Sequence, residues 1–299
     1  MNTAIINTAT IQRTVDRYLR SEASAPMVLM ELLQQTEDTN ALALVLPTLV
    51  GEPAKLQALV RYLADNACGC RTIVSMIGQG LDCPEVAANA EEGIERCRTL
   101  FDASVAQSEE SSVALYSLGS PALLAAATDE LIAVLDDWGV LGLHRDGLEV
   151  GCGIGRLMVP LSSRLRSLAG TDVAPGMIAA ATRRLEAMPN TRVSLTTGQD
   201  LAAFASASVD LVYSVDVFPY IVLCGQALVA RQFSEIHRVL RPGGDFVLFN
   251  YAYGRPREDA NGEVLALARR AGLEVVRADE APFQIWNGIG WLMRKGSSA

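Results

Sequence analysis

The segment from Leu148 to Leu157, with the sequence LEVGCGIGRL, constrains the fold of this chain more than any other segment. A short apolar run is followed by three alternating glycines and then by the start of a helical stretch. Glycine lets the backbone turn sharply and pass close to a ligand, because it has no Cβ. The helix that follows directs unpaired N–H groups at the same place. The pattern predicts a strand, a tight turn and a helix, with a binding site at the turn.

This turn alone leaves two interpretations open. A turn from a strand into a helix needs glycine for structural reasons, and a similar turn binds nucleotide-type ligands. The dinucleotide fingerprint G-x-G-x-x-G requires its third glycine one residue later than Gly155. The remainder of the chain has to decide between a structural bend and a ligand site.

From Gly147 onward, short apolar runs alternate with helical stretches, which indicates a parallel sheet with helices on both faces. Strands are expected at residues 147–150, 167–171, 192–196, 209–214, 245–250, 273–278 and 283–293, and helices at 156–164, 175–187, 228–240 and 262–271. The last two strands are joined by Ala281-Pro282, which is too short for a helical crossover. We expect a hairpin-like end to the sheet.

Residues 1 to about 110 have apolar residues at helical spacing and no strand alternation. Helices are expected to begin near Pro26, Pro53 and Pro84, since proline suits the first turn of a helix. The polar stretch Gln107–Ser112 is the candidate linker. The expected domains are therefore a helical region over residues 1–110 and an α/β domain over residues 111–299.

Composition narrows the function classes. The chain has 299 residues, half of them hydrophobic, and a formal net charge of −9. This charge argues against a nucleic-acid-binding surface, which needs excess positive charge. No secretion signal is recognised at the N-terminus and no apolar run reaches about 18 residues, so we expect a cytoplasmic protein that does not enter a membrane. The six cysteines are expected to be free thiols, because the spacing from Cys68 to Cys97 is not a usual zinc spacing.

Two acidic residues follow the next predicted strands. Asp172 ends the second strand, about 20 residues after the glycine turn, where a carboxylate can accept from two ribose hydroxyls. It could instead cap the helix that Pro175 opens. After the third strand, Asp200 could accept from an exocyclic amino group while the N–H of Leu201 donates to a ring nitrogen. An ordinary Asx turn is the alternative there.

Together with the strand VDLVYS, which ends at Ser214, and the RVLRPGG turn at residues 238–244, these pieces resemble class I S-adenosylmethionine-dependent methyltransferases. The resemblance covers residues 115 to 295, and residues 1–110 have no counterpart in it. It implies a Rossmann-like α/β fold with seven strands in the order 3-2-1-4-5-7-6, the seventh antiparallel, and it implies S-adenosylmethionine as cofactor and S-adenosylhomocysteine as product.

The resemblance also implies a set of cofactor-binding residues. They are Tyr116, Glu149, Gly151, Cys152, Gly153, Gly155, Asp172, Val173, Met177, Asp200, Leu201, Ser214 and Val215. The glycines are expected to line the methionine moiety and ribose, and the Glu149 carboxylate to favour the positively charged end of the ligand. Val173 and Met177 are expected along the adenine ring, although Met177 is equally explained as a core methionine. Tyr116 matches an aromatic residue that covers the cofactor.

The acceptor is expected to be a small molecule, such as a secondary metabolite. The fourth strand ends in Ser214-Val215-Asp216-Val217 and not in the Asp/Asn-Pro-Pro-Tyr/Phe sequence of amide and adenine methyltransferases. The protein then supplies alignment, exclusion of water and, for a protonated acceptor, a general base. The candidates for that base are Tyr220, Asp216 and His237, with a structural role as the alternative for His237.

Three further possibilities stay open from the sequence. Residues 1–110 could form a lid and much of the acceptor pocket, and they could build a homodimer interface. The fold could support another group transfer. The chain could also be a non-catalytic cofactor-binding or scaffold protein. No metal is expected.

Overall fold

A computed structural model describes residues 8–81 and 87–297. The chain divides into two compact units. We call them the N-terminal unit (residues 1–83, 103–129 and 283–287) and the sheet unit (residues 84–102, 130–282 and 288–299). This division differs from a single boundary at residue 110, because residues 90–102 belong to the sheet unit and residues 283–287 to the N-terminal unit.

The N-terminal unit is helical, as expected. Its helices are α1 (Thr8–Leu19), α2 (Ala25–Thr36), α3 (Thr39–Val45), α4 (Pro53–Asp65), α5 (Ala67–Gly78), the end of α6 (Ala90–Gln107), α7 (Glu109–Val113) and the first part of α8 (Pro121–Asp137). Its core contains Val15, Leu29, Leu33, Leu59 and Ile73, all fully or almost fully buried. The core consists of apolar helix faces because these residues recur at helical spacing.

The predicted linker at Gln107–Ser112 is wrong. Helix α6 ends at Gln107 and α7 starts at Glu109, so the two helices are nearly continuous. The Ser108 side chain accepts a hydrogen bond from the N–H of Ser111, which is an N-cap. The polar residues therefore start a helix here. Pro84, a predicted helix start, and Cys83 lie outside the described residues.

The sheet unit holds a sheet of seven strands in the order 3-2-1-4-5-7-6, as predicted. The strands are β1 (Gly142–Val150), β2 (Leu165–Asp172), β3 (Thr191–Leu195), β4 (Val209–Val215), β5 (Leu240–Phe249), β6 (Leu273–Glu280) and β7 (Gly290–Lys295). β7 pairs antiparallel with β5 and with β6, while the other pairings are parallel. The fold class and the hairpin-like end are thus confirmed.

Five helices of the sheet unit follow β1 in the chain. After β1 come α9 (Met158–Leu161), α10 (Pro175–Leu185), α11 (Phe218–Leu223), α12 (Gln226–Val239) and α13 (Arg257–Ala271). The core packs the apolar residues Leu148, Val212 and Phe246 of the strands against Phe233 and Val264 of the helices. The predicted helix at 156–164 shortens to α9, because the glycine turn occupies the residues before Met158.

The predicted last strand at 283–293 begins seven residues too early. Residues 283–287 belong to the N-terminal unit, where Ser24 Oγ donates to the Ile285 carbonyl oxygen at 2.5 Å. The Trp286 ring stacks on Tyr116 with a centroid distance of 6.1 Å. These apolar residues therefore serve packing in a loop and not strand pairing, and pairing starts at Gly290.

The sheet register brings the carboxyl ends of four strands to one edge. Val150 of β1 is opposite Thr171 of β2, and Val215 of β4 is opposite Phe249 of β5. In open α/β sheets, ligands bind at this edge. We call it the carboxyl edge. Within the described residues, none of the helices combines the length and the apolar character needed to cross a bilayer.

Candidate cofactor and acceptor site

The glycine turn lies at the carboxyl edge and is tied to β2. Gly151, Gly153 and Gly155 have positive φ angles of 74°, 51° and 74°. The N–H groups of Gly151 and Cys152 both donate to the Thr171 carbonyl oxygen, at 2.8 and 2.9 Å. A Cβ at Gly151 would lie 2.2 Å from Val217 Cγ2, so glycine is required there by packing as well as by backbone conformation.

Asp172 links the glycine turn to the end of β2. Its Oδ2 accepts from the N–H of Gly153 at 2.9 Å and its Oδ1 from the N–H of Ala174 at 3.0 Å. Burial raises the pKa of this carboxyl group, while the backbone hydrogen bonds lower it. The N–H of Val173 also bonds this carboxylate. A carboxylate has about four lone-pair directions, so these three bonds still leave acceptor capacity for a ligand hydroxyl.

The alternative role of Asp172, as the cap of the following helix, is filled by another residue. Asp102 Oδ1 accepts from the N–H of Gly176 in the first turn of α10, at 2.6 Å. Ala174, the N-cap residue, has no side-chain capping bond. Asp102 was not predictable from the sequence, because it lies on α6, more than 70 residues before its partner.

A buried pair connects β1 to β4. The Tyr213 hydroxyl donates to Glu149 Oε2 at 3.0 Å, and both side chains are buried. Burial raises the pKa of Glu149 to about 8, against the lowering effects of the Tyr213 hydrogen bond and the positive charge of Arg156. Glu149 is therefore mostly neutral below pH 8 and gains charge readily when a cation approaches.

Three buried polar atoms at this edge have no hydrogen-bond partner among residues 8–81 and 87–297: Ser214 Oγ, Thr171 Oγ1 and Arg156 Nη1. Buried polar atoms are nearly always paired in folded proteins, so a cluster of exceptions needs an explanation. Ser214 and Thr171 are the next-to-last residues of β4 and β2, and Arg156 directly follows the glycine turn. These donors and acceptors suit a polar ligand with hydroxyl, ammonium and carboxylate groups.

The predicted adenine wall contains a residue that the sequence did not indicate. Val173 Cγ1 and Ile94 Cγ2 lie 2.9 and 3.2 Å from the position of a Cβ at Gly198. Ile94 is on α6, within the sheet unit. Met177 is almost fully buried, which agrees with its alternative interpretation as a core residue. Cys152 is also buried, and burial raises the pKa of its thiol.

Asp200 and Leu201 are engaged by α12. Asp200 Oδ2 accepts from Arg231 Nη2 at 2.7 Å, and its Oδ1 accepts from the N–H of Ala202 at 3.1 Å, which is an Asx turn. The N–H of Leu201 donates to Glu235 Oε2 at 3.1 Å. The hydrogen-bonding groups predicted to read the adenine edge are thus already paired within the protein.

Asp216 directly follows Val215 and lies beside β5. It accepts from Asn250 Nδ2 at 2.6 Å, and its carboxylate is also hydrogen-bonded to the Tyr253 hydroxyl. Both Asp216 and Asn250 have left-handed φ angles, of 60° and 66°, which non-glycine residues rarely adopt. Burial raises the pKa of Asp216, while its hydrogen bonds and the charge of Arg156 lower it.

Tyr220 belongs to the same cluster. Its ring meets Tyr253 edge to face, with centroids 5.9 Å apart, and its hydroxyl is hydrogen-bonded to that of Tyr253. On its other side Tyr220 meets Phe101 of α6, with centroids 4.9 Å apart. Asn250, Tyr253 and Phe101 complete a site that the sequence marked only by Tyr220 and Asp216.

His237 lies at the end of α12, and Tyr116 belongs to the N-terminal unit. His237 is in the last turn of α12, which leads into the start of β5 and thus to the edge opposite the glycine turn. The His237 carbonyl oxygen accepts from Lys295 Nζ at 2.8 Å. Burial and the charge of Lys295 lower the pKa of the His237 imidazole. This placement favours the structural interpretation. Tyr116 is buried in the N-terminal unit against Trp286.

The thiols and acids form no metal centre in the part of the chain that is described. Over residues 8–81 and 87–297, no group of three or more His, Cys, Asp or Glu side chains is placed to hold a metal ion. The described cysteines are not joined in disulfide bonds, and Cys97 and Cys224 share a hydrogen bond; they are Cys68, Cys70, Cys97, Cys152 and Cys224.

Comparison with known proteins supports the interpretation of the sheet unit. Residues 148–248, which include the glycine turn, Asp172 and Asp216, match the family of methyltransferase domains. This stretch runs from β1 to β5 and contains most of the carboxyl edge.

Two solved structures have a similar fold. Phosphoethanolamine N-methyltransferase 1 of Haemonchus contortus, in complex with phosphoethanolamine and S-adenosylhomocysteine, is 19% identical with a TM-score of 0.59, over 71% of this chain and 50% of that protein. The chain thus spans about half the length of that enzyme. The [4+2]-cyclase SpnF is 15% identical with a TM-score of 0.52, over 72% of this chain and 100% of SpnF. At these identities the likeness is one of fold.

Proposed function

We propose that this chain, which carries a class I S-adenosylmethionine-dependent methyltransferase domain, transfers a methyl group to a small-molecule acceptor. S-adenosylmethionine is the cofactor of this domain class, and when bound it supplies a methyl group already activated on a sulfonium. One observation carries the proposal. The Asp172 carboxylate joins the glycine turn to the end of β2 and keeps acceptor capacity beside the unpartnered Thr171 and Ser214 hydroxyls.

The chain's own groups suit the parts of that cofactor. Asp172 would accept from ribose hydroxyls, and Val173 with Ile94 would pack against a flat ring. Glu149, which is neutral below pH 8 in the free protein, would ionise beside a sulfonium and balance its charge. Arg156 Nη1 is a buried donor suited to a carboxylate.

Asp216 and Tyr220 are proposed as the residues that receive the acceptor's proton. Asp216 is held in one orientation by Asn250, and Tyr220 connects to it through Tyr253. His237 is not part of this proposal, because it lies at the opposite edge of the sheet. Alignment and exclusion of water remain the main contributions of the protein.

Residues 1–110 are proposed as the lid of the acceptor site. The support comes from α6, whose first part belongs to the sheet unit and contributes Ile94, Phe101 and Asp102 at the carboxyl edge. A cytoplasmic location and a homodimer built through the N-terminal region are retained as parts of the proposal. The negative charge continues to favour a small acceptor over a nucleic acid.

Mass spectrometry tests the reaction. The full chain, incubated with S-adenosylmethionine and a panel of small acceptors, is expected to add one methyl group to an acceptor and to form S-adenosylhomocysteine. Transfer of a larger group would point to another group transfer on this fold. Cofactor binding without any transfer across a broad panel would favour a non-catalytic binding protein, and the absence of binding would reject the proposal.

A further inference from the structure

A continuous line of hydrogen bonds runs from Tyr220 to a buried carboxylate at the carboxyl edge. The Tyr253 hydroxyl is bonded both to the Tyr220 hydroxyl and to Asp216. The edge-to-face packing of the two rings, with centroids 5.9 Å apart at 89°, keeps the hydroxyls in this arrangement. Tyr253 as a whole residue is 46% exposed.

Asp216, at the carboxylate end of this line, has an uncommon backbone conformation. Asp216 and Asn250 occupy left-handed backbone conformations at the ends of neighbouring strands, and their side chains are joined at 2.6 Å. Among non-glycine residues, Asp and Asn adopt such conformations most readily, and backbone outliers concentrate at functional sites. The hydrogen bond from Asn250 fixes the orientation of the Asp216 carboxylate. A fixed orientation serves a carboxylate that accepts a proton from a defined partner.

Within the part of the chain that the structure describes, three side chains act on the Asp216 carboxylate. Tyr253 and Asn250 bond it from the segment after β5, and Arg156 acts on it from the end of the glycine turn. With one cation nearby, the carboxylate can be ionised when the acceptor binds, and its burial lets it hold a proton afterwards.

We propose that Tyr253 is a further proton-transfer residue, which links Tyr220 to Asp216, and that the acceptor is an aromatic hydroxyl compound. This inference rests on the proposed methyltransferase function. An acceptor needs such a line of hydrogen bonds only if it must lose a proton during methyl transfer. A phenol has the same acidic group as the two tyrosines, so each hydroxyl in the line can accept one proton as it donates another. Phe101 and Tyr220 also offer the ring faces and edges that pack against a flat aromatic acceptor.

The step balances within these groups. The acceptor O–H bond breaks and its proton goes to the Tyr220 oxygen, as the Tyr220 proton passes to Tyr253 and the Tyr253 proton passes to Asp216. The acceptor oxygen uses the freed electron pair to form its bond to the methyl carbon, while the carbon–sulfur bond breaks and sulfur keeps that pair. Asp216 then returns its proton to solvent.

The test compares Tyr253→Phe with the full wild-type chain, on simple phenols and on matched anilines and arenes without a hydroxyl. Tyr251→Phe is the matched control, because the Tyr251 hydroxyl donates to Glu263 and not to this line. We expect wild type and Tyr251→Phe to methylate phenol oxygen. Tyr253→Phe should lower kcat on a phenol by about 10- to 100-fold at pH 7, with unchanged affinity for S-adenosylmethionine.

The pH profile distinguishes proton transfer from a structural role. The kcat of Tyr253→Phe should recover toward wild type near pH 10, where a phenol ionises without help. An unchanged kcat of Tyr253→Phe at every pH, a loss that persists equally at pH 10, or methylation of anilines or carbon alone would overturn the inference and leave the methyltransferase proposal standing. Failure to methylate any acceptor would instead overturn the proposed function, and this inference with it.

Discussion

At the scale of single residues, the pKa of the Glu149 carboxyl group makes ligand binding sensitive to pH. It is buried against Tyr213, and burial raises its pKa to about 8, so the ligand-free protein keeps it mostly neutral at pH 7. A bound sulfonium favours the charged form. Ligand binding at this site should therefore be linked to release of a proton.

The first prediction concerns the pH dependence of cofactor affinity. The Kd of S-adenosylmethionine should fall as the pH rises from 6.5 to 8.5, because the charged form of Glu149 binds the sulfonium better. S-adenosylhomocysteine, with its neutral sulfur, should show a smaller change. Calorimetry in buffers of different ionisation enthalpy measures both. Equal pH slopes for the two ligands, or an unchanged slope in Glu149→Gln, would contradict this role.

The second prediction concerns stability without ligand. Between the ordinary carboxyl pKa of about 4.5 and about 8, the unfolded chain ionises Glu149 while the folded chain keeps it protonated. Glu149 therefore costs increasing stability as the pH rises through this window. Glu149→Gln should gain about 1–3 kcal/mol in free energy of unfolding relative to wild type between pH 5 and pH 8. A constant difference across that range, measured by urea unfolding, would contradict the raised pKa.

Gly151 gives a third prediction at this scale. A Cβ there would lie 2.2 Å from Val217 Cγ2, and the φ angle of 74° disfavours any other residue. Gly151→Ala should cost about 2 kcal/mol or more in free energy of unfolding. Adding Val217→Ala removes the clash and should recover part of that loss. Additive effects in the double-mutant cycle would show that the contact is not the cause.

At the scale of elements, α6 joins the sheet unit through Asp102, which caps the start of α10 at the N–H of Gly176. Asp102→Ala should lower the free energy of unfolding by about 1 kcal/mol, since a helix loses its N-terminal cap. Asp102→Asn keeps the accepting oxygen and should lose less. Equal thermal unfolding of wild type and Asp102→Ala would show that the cap does not stabilise the helix.

The strands were predictable because apolar patterns are local, and their order was predictable because the motifs around the glycine turn resemble those of class I methyltransferases. The positions of Asp172 at the end of β2 and of Ser214 next to the end of β4 followed directly from that. The start of β7 did not, because residues 283–287 pack against Ser24 and Tyr116, which are far away in the sequence. A local apolar pattern does not reveal such a partner.

The site residues also differ in whether the sequence could predict their place. Asp172 ends β2 and Asp216 directly follows β4, so their place was predictable from the sequence. The partners that engage Asp200 and Leu201 are on α12, at Arg231 and Glu235, more than 30 residues later. Tyr253 and Asn250 lie in a loop after β5, with no motif to mark them, and only tertiary structure brings them to Asp216.

At the scale of the whole molecule, the proposed role of the N-terminal region makes a prediction of its own. A chain that starts at Ser111 lacks Ile94, Phe101 and Asp102, which lie at the carboxyl edge. It should lose most turnover on the natural acceptor, even where circular dichroism reports a folded sheet unit. Full turnover by the folded, shortened chain would reject the lid proposal, and with it the proposed packing of Ile94 against the cofactor.

Calorimetric titration of S-adenosylmethionine into Asp172→Ala tests the cofactor site most directly. Asp172 accepts from the N–H of Gly153, and its remaining acceptor capacity is proposed to hold the ribose hydroxyls. Asp137→Ala, a substitution at an exposed residue of the sheet unit, is the matched control. We predict that Asp172→Ala weakens binding by at least about tenfold, roughly the 1.4 kcal/mol of one charge-assisted hydrogen bond, while Asp137→Ala binds as wild type. Wild-type affinity in a folded Asp172→Ala protein would contradict the assignment of the cofactor to this edge.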